Sequence, residues 1–88
     1  MEEKNISLLD LFNIIDYWHD NRICLNVKIE TKDDNILQGV ASTGMRVPEY
    51  IKDVRPTIIY IDQYQEVVIN NIKALEYGGC RYIINEEY

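Results

Sequence analysis

The sequence predicts an α+β fold that is mainly β: an N-terminal amphipathic helix followed by a five-stranded, strongly bent antiparallel small barrel. One observation is an apolar stripe at helical spacing between Leu8 and His19. Another is the stretch Leu25–Gly39, which alternates apolar and polar residues around a charged turn before it reaches a glycine. The 88 residues form one domain, with the helix at about 8–19 and the barrel at about 23–84.

The helix has a complete start signal. Ser7 is a natural N-cap for the backbone N–H of Asp10, and the Asp10 carboxylate can reach back to Ser7, which together make a capping box. From there the apolar residues recur three and four positions apart: Leu8, Leu11, Phe12, Ile15 and Trp18. We expect this helix to end at Asp20-Asn21.

The first hairpin follows the helix directly. Ile23–Glu30 alternates in the manner of a strand with one wet face, Thr31–Asp34 supplies the turn, and Asn35–Ser42 returns. Gly39 in the returning strand predicts a sharp bend or a close backbone approach. Bends of this kind close small barrels.

The second half supplies the remaining elements. Residues 43–56 form the longest irregular stretch, in which Pro48–Val54 is expected to make a short helical turn. The other predicted elements are strands at Thr57–Asp62 and Glu66–Asn70 around the turn Gln63–Gln65, a 3₁₀-like turn within Asn71–Glu76, and a fifth strand at Arg81–Ile84.

Charge and hydropathy restrict the function classes. Fifteen acidic and nine basic side chains give a net charge of −6. An acidic chain repels phosphate unless its cations gather on one face, so we do not expect nucleic-acid binding. The acids can address a basic partner or simply keep a small domain soluble. With an acidic, polar N-terminus and no apolar run near the ~20 residues of a membrane span, we expect a cytoplasmic protein that does not contact membranes.

No cluster of residues in the sequence indicates catalysis or metal binding. His19 is the only histidine, and the two cysteines, Cys24 and Cys80, lack the paired spacing of a zinc site. We expect His19 to favour the C-terminal end of the helix dipole and the cysteines to act as small apolar residues. The sequence therefore predicts a non-enzymatic protein with no metal and no cofactor.

The order of elements resembles that of the Sm-like and SH3-like small barrels. Val27–Gly39 resembles the first Sm motif, with an alternating strand, an acidic turn and a glycine, and Val67–Ile72 resembles the second. RNA-binding members carry an Asp and an Asn in the loop after the second strand, and a basic residue before glycine after the fourth. Here Thr43–Arg46 and Asn70-Asn71 stand in those places. The resemblance implies the barrel architecture and not the uridine pocket.

We interpret the chain as an acidic interaction module that binds a partner protein as a regulator or inhibitor, in the manner of a phage or mobile-element accessory protein. Function is expected in the long loop and at the tip of the second hairpin. The candidate contact residues are Met45, Arg46, Tyr50 and Tyr64. Tyr64, between two glutamines at a hairpin tip, is the tyrosine that we expect to be exposed.

Two other interpretations stay open. One is an Sm-like oligomeric ring that binds RNA or a small nucleotide at subunit boundaries, assembled by pairing the fourth and fifth predicted strands of neighbouring copies. The other is a nucleic-acid mimic, which requires its acids to share one surface, the candidates being Asp33, Asp34, Glu49 and Asp62.

Overall fold

The computed structural model describes residues 1–43 and 56–85. Within these ranges, seven strands form one sheet in the order β1-β7-β6-β2-β3-β4-β5, joined by one α-helix and one 3₁₀ turn. The elements are β1 (Glu2–Ser7), α1 (Leu8–Asp20), β2 (Leu25–Thr31), β3 (Ile36–Ser42), β4 (Ile58–Ile61), β5 (Gln65–Val68), the 3₁₀ turn (Ile69–Asn71), β6 (Ile72–Tyr77) and β7 (Cys80–Asn85).

The helix begins and ends where the sequence predicts. The Asp10 backbone N–H donates to Ser7 Oγ at 3.0 Å and the Ser7 N–H donates to Asp10 Oδ2 at 3.2 Å, so both halves of the capping box form. Asn21 caps the other end and its Nδ2 donates to the Tyr17 carbonyl at 2.8 Å. The buried stripe consists of Leu11, Ile15 and Trp18.

The core lies between α1 and the inner face of the sheet. The strand residues Val27, Ile29 and Ile59 and the 3₁₀-turn residue Ile69 are buried in one cluster with the helix stripe, and Leu25 packs against that cluster with partial exposure. Each fully buried Ile or Leu stabilises the fold by about 1.5–3 kcal/mol relative to an exposed one. The helix therefore packs on the inner face of the sheet through apolar contacts.

Both predicted hairpins form. In the first, β2 and β3 pair from Leu25↔Ala41 to Glu30↔Ile36, which sets Gly39 opposite Val27. In the second, β4 and β5 pair from Ile58↔Val68 to Ile61↔Gln65. The helical turn predicted at Pro48–Val54 lies outside the described residues.

The prediction of a five-stranded closed barrel is wrong, because the sheet of residues 1–43 and 56–85 has seven strands and stays open. β1 was missed because its sequence, EEKNIS, has no apolar alternation. It pairs in parallel with β7 through its backbone, and Arg81 Nε of β7 lies 3.8 Å from Glu3 Oε1 of β1. A parallel partner at the far end of the chain leaves no local pattern to read.

The 3₁₀ turn predicted within Asn71–Glu76 is also misplaced. It occupies Ile69–Asn71, and the following residues form β6, whose Ile72, Ala74 and Leu75 are buried. β6 lies between β2 and β7, so neither of its edges is available to β5. The two end strands of the described sheet, β1 and β5, do not pair with each other, so the sheet stays open. The predicted fifth strand, Arg81–Ile84, falls inside β7.

Candidate protein-binding surface

The structure describes one of the four predicted contact residues. Tyr64 lies at the β4–β5 turn with 89% of its surface exposed, as the sequence predicts. Met45, Arg46 and Tyr50 lie outside the described residues. Thr43, where the first described range ends, is half-buried, and its Oγ1 lies 3.1 Å from His19 Nδ1 in a hydrogen bond.

Asp62 fixes the turn that presents Tyr64. Asp62 and Gln63 both have positive φ, 53° and 69°, and the Tyr64 N–H donates to the Ile61 carbonyl at 3.2 Å. The Asp62 N–H donates to the Val40 carbonyl at 2.9 Å, while Asp62 Oδ1 accepts from the Val40 N–H at 2.9 Å. The second hairpin is thereby attached to β3 at its tip.

Gly39 makes room for this attachment. A Cβ at position 39 would lie 2.6 Å from Asp62 Cγ, far inside van der Waals contact. The sequence predicts a bend or a close backbone approach at Gly39, whereas the group that approaches it is the side-chain carboxylate of Asp62. Gly39 therefore leaves space for the turn that carries Tyr64.

Exposed apolar side chains lie next to this turn on the outer face of β3, β4 and β5. Val40 is 41% exposed and Val68 is 49% exposed. The pairs Ile58↔Val68 and Tyr60↔Glu66 put both residues of each pair on that same face. We call the following set the β5 surface: Val40, Ile58, Tyr60, Tyr64, Glu66 and Val68.

The β5 surface is acidic where it is charged. Among the described residues of β3, β4, β5 and the β4–β5 turn, the charged side chains are Asp62 and Glu66, and no Lys or Arg occurs. Asp62 already accepts a hydrogen bond from the backbone of β3. Glu66 is exposed on β5, so it is the carboxylate that a partner would meet first.

β5 also ends the sheet, and no strand of the described ranges pairs with its outer side. The Ile69 N–H donates to the Thr57 carbonyl at 2.9 Å, in line with the β4–β5 register. Because antiparallel residues alternate between facing the partner strand and facing away, the N–H groups of Glu66 and Val68 point to the open edge.

The opposite edge, β1, carries three consecutive exposed charged residues, Glu2, Glu3 and Lys4. Charges of this kind protect an edge against pairing.

Elsewhere the polar clusters serve the fold. Asp33 accepts hydrogen bonds from the Thr31 hydroxyl, from Asn35 Nδ2 at 3.2 Å and from Asn71 Nδ2 at 3.3 Å. These bonds, that of Thr31 first, hold the pKa of Asp33 below its usual value. Of the acids in the mimic interpretation, Asp33 and Asp62 are thus engaged within the chain, and Glu49 lies outside the described residues.

The aromatic residues divide between the core and the surface. Tyr77 meets Trp18 edge-on with ring centroids 5.3 Å apart and stacks on Tyr82 at 5.2 Å. The hydrogen bond with Tyr77, followed by burial, raises the pKa of Tyr82 to about 12. Tyr77 and Tyr82 are half-buried and stack on each other, whereas Tyr64 is exposed.

The remaining candidates for chemistry lie apart. Cys80 is buried, Cys24 is exposed, and neither forms a disulfide. In residues 1–43 and 56–85 no group of three His, Cys, Asp or Glu side chains is placed to hold a metal ion. In the same ranges no helix combines the length and the apolar character that crossing a bilayer requires.

The sequence does not single out Val40, Glu66 and Val68 as candidate contact residues. Their importance depends on which strand lies at the edge, and that depends on the sheet order. A local signal existed, because β5 carries one charged residue in four whereas β1 has three charged residues in succession.

Comparison with known protein families, with curated proteins and with solved structures finds no match to this chain.

Proposed function

We propose that this chain is a non-enzymatic interaction module that binds another protein as a regulator or inhibitor through the β5 surface. The observation that carries the proposal is the exposure of Val40, Tyr64 and Val68 on the three neighbouring strands β3, β4 and β5 and their turn, at the end of the sheet where β5 is the edge. Apolar patches with a polar rim are typical of protein-binding sites, and tyrosine is enriched in their centres. The small size and acidic balance suit an accessory protein of a phage or mobile element.

The grouping matters more than the exposure of any one residue, since single exposed apolar side chains are ordinary. The other large apolar residues that are exposed in the described ranges are Met1, Leu9, Tyr17 and Ile36. Leu9 and Tyr17 lie on the exposed face of α1, and the edge strand next to that helix, β1, carries the charged residues Glu2, Glu3 and Lys4. Within the described residues, the β5 surface combines an aromatic turn residue, two exposed valines and an edge strand that no other strand pairs on its outer side.

A photo-crosslinking experiment tests the proposal. The full chain carries p-benzoylphenylalanine in place of Tyr64 in one variant and in place of Tyr17 in the other, and both are expressed in the native host. Tyr17, 61% exposed on α1, is the matched control. We expect one defined protein adduct at position 64 and none of that mass at position 17. No adduct at position 64, or the same adduct at both, would contradict the proposal.

The captured partner then permits an affinity measurement. A tyrosine at the centre of an interface costs about tenfold or more in affinity when it is truncated. We expect Tyr64→Ala to weaken binding to the purified partner by about that factor, and Tyr17→Ala to change it by less than about twofold, as measured by isothermal titration calorimetry. Equal effects of both substitutions would place the contact elsewhere.

A further inference from the structure

We propose that the outer edge of β5 takes an extended segment of the partner as an added strand, and that this segment carries a basic and an aliphatic side chain two residues apart. The inference rests on the proposed protein-binding function and names its mode and the chemistry of the ligand. It concerns Glu66 and Val68, whose N–H groups face outward and whose side chains share the outer face of the sheet.

The backbone of β5 has the geometry that an added strand requires. β5 is extended up to its last residue, where Val68 has φ −72° and ψ 128°. An added strand bonds to the outward N–H and C=O groups at every second residue of an edge, and such main-chain bonds carry the affinity in this mode of recognition. Glu66 and Val68 stand at that spacing.

The side chains of Glu66 and Val68 determine which residues an added strand would place opposite them. In a strand added to β5, the residues opposite Glu66 and Val68 are two apart and point to the same outer face. A Lys or Arg opposite Glu66 pairs with its carboxylate. An aliphatic residue opposite Val68 continues the apolar row that Val68 forms with Ile58 of β4.

Charge decides between a foreign segment and a second copy of the chain. The charges on β3, β4, β5 and their turn are both acidic, Asp62 and Glu66, and the whole chain has a net charge of −6. Two antiparallel β5 strands would bring their Glu66 side chains near each other. β1 of a second copy carries Lys4 but also Glu2 and Glu3, so it is acidic overall, and Ile6, the aliphatic residue two positions after Lys4, already packs against the core of its own chain. Like charges across strands are destabilising, so the occupant is a basic segment of another protein.

The test uses three synthetic peptides and the ¹⁵N-labelled full chain. The basic probe is acetyl-TKTVTKT-amide, which presents lysine and valine on one face in either strand direction. The acidic probe replaces both lysines with glutamate, and the blocked probe is the basic one with an N-methylated valine. Two-dimensional NMR follows the backbone amides during each titration, and hydrogen exchange is measured at the highest peptide concentration.

We expect the basic probe to shift the amide signals of Glu66 and Val68 downfield and to slow their hydrogen exchange by about tenfold. The acidic and blocked probes should bind at least about tenfold more weakly, because each lacks one of the two recognition elements. Absence of binding by the basic probe, shifts centred on other amides, or equal binding of the acidic probe would overturn the inference.

Two variants separate the edge from the fold. Val68→Pro removes one outward donor and breaks no bond to β4, and the φ of −72° suits the proline ring. Glu66→Lys reverses the charge. We expect Val68→Pro to keep the native NMR dispersion and lose binding of the basic probe, and Glu66→Lys to prefer the acidic probe by about tenfold. Unchanged binding in a folded Val68→Pro, or an unchanged charge preference in Glu66→Lys, would contradict strand addition.

This test can fail separately from the proposed function. If a partner crosslinks at Tyr64 but leaves hydrogen exchange at Glu66 and Val68 unchanged, protein binding stands and strand addition is wrong. If no partner crosslinks there, the proposed function itself fails.

Discussion

At the scale of single residues, Gly39 and Asp62 form the pair on which the presentation of Tyr64 depends. Replacing Gly39 with alanine would set a Cβ 2.6 Å from Asp62 Cγ, so the carboxylate would have to leave the Val40 N–H. We expect Gly39→Ala to lower the free energy of unfolding by about 1–3 kcal/mol in urea denaturation. Gln38→Ala, on the exposed outer face of the same strand, should change it by less than about 0.5 kcal/mol.

A double mutant makes this prediction specific. Asp62→Gly removes the carboxylate, and its φ of 53° suits glycine. In that background Gly39→Ala should cost less than half of what it costs in the wild type, because the group it strikes is gone. Costs that simply add would show that the two residues act independently.

Asp33 gives the fold a pH dependence with a definite sign. Its pKa is lowered in the folded state, chiefly by the hydrogen bond from Thr31, so its contribution to stability is present above the ordinary value of 3.8 and is lost as the pH falls through the lower folded value. We expect Asp33→Asn to lose less stability than the wild type between about pH 6 and about pH 3 in urea denaturation. Asp34→Asn, in the same turn, controls for the loss of one charge. Parallel pH profiles for the wild type and Asp33→Asn would contradict this role.

At the scale of elements, the capping box of α1 connects the helix to β1. Ser7 is both the last residue of β1 and the N-cap of α1, and its Oγ accepts from the Asp10 N–H at 3.0 Å. We expect Ser7→Ala to lower the free energy of unfolding by about 1 kcal/mol. Asn13→Ala, on the exposed helix face, should leave the free energy of unfolding nearly unchanged. An equal effect of the two substitutions in thermal unfolding would mean that the cap contributes nothing measurable.

Elements with strong local signals were predictable from the sequence, and the sheet order was not. The capping residues and apolar stripe predict α1, and alternation with turn residues predicts both hairpins. β1 was missed because its pairing partner, β7, is distant in the sequence. β6 was missed because its apolar run is short. The site divides in the same way: turn residues predict the exposure of Tyr64, but the position of Glu66 and Val68 at an edge depends on β6 lying between β2 and β7.

At the scale of the whole molecule, the sheet order bears on assembly. The Sm-like ring in its predicted form pairs Arg81–Ile84 with a neighbouring copy, but these residues lie in β7, which is already paired with β1 and β6. The edge strand β5 carries an acidic residue, and the edge strand β1 carries three charged residues that oppose pairing. We therefore expect a monomer of 10.4 kDa in light scattering at physiological salt. A mass several times larger would favour the alternative, a ring that binds RNA or a nucleotide at subunit boundaries.

The central claim is that the β5 end of the sheet binds a partner protein. Its most direct test is amide hydrogen exchange of the whole chain, alone and with the partner captured at position 64. We expect slower exchange at Glu66 and Val68 and unchanged exchange along the exposed face of α1. Slowing along α1, with Glu66 and Val68 unaffected, would contradict it.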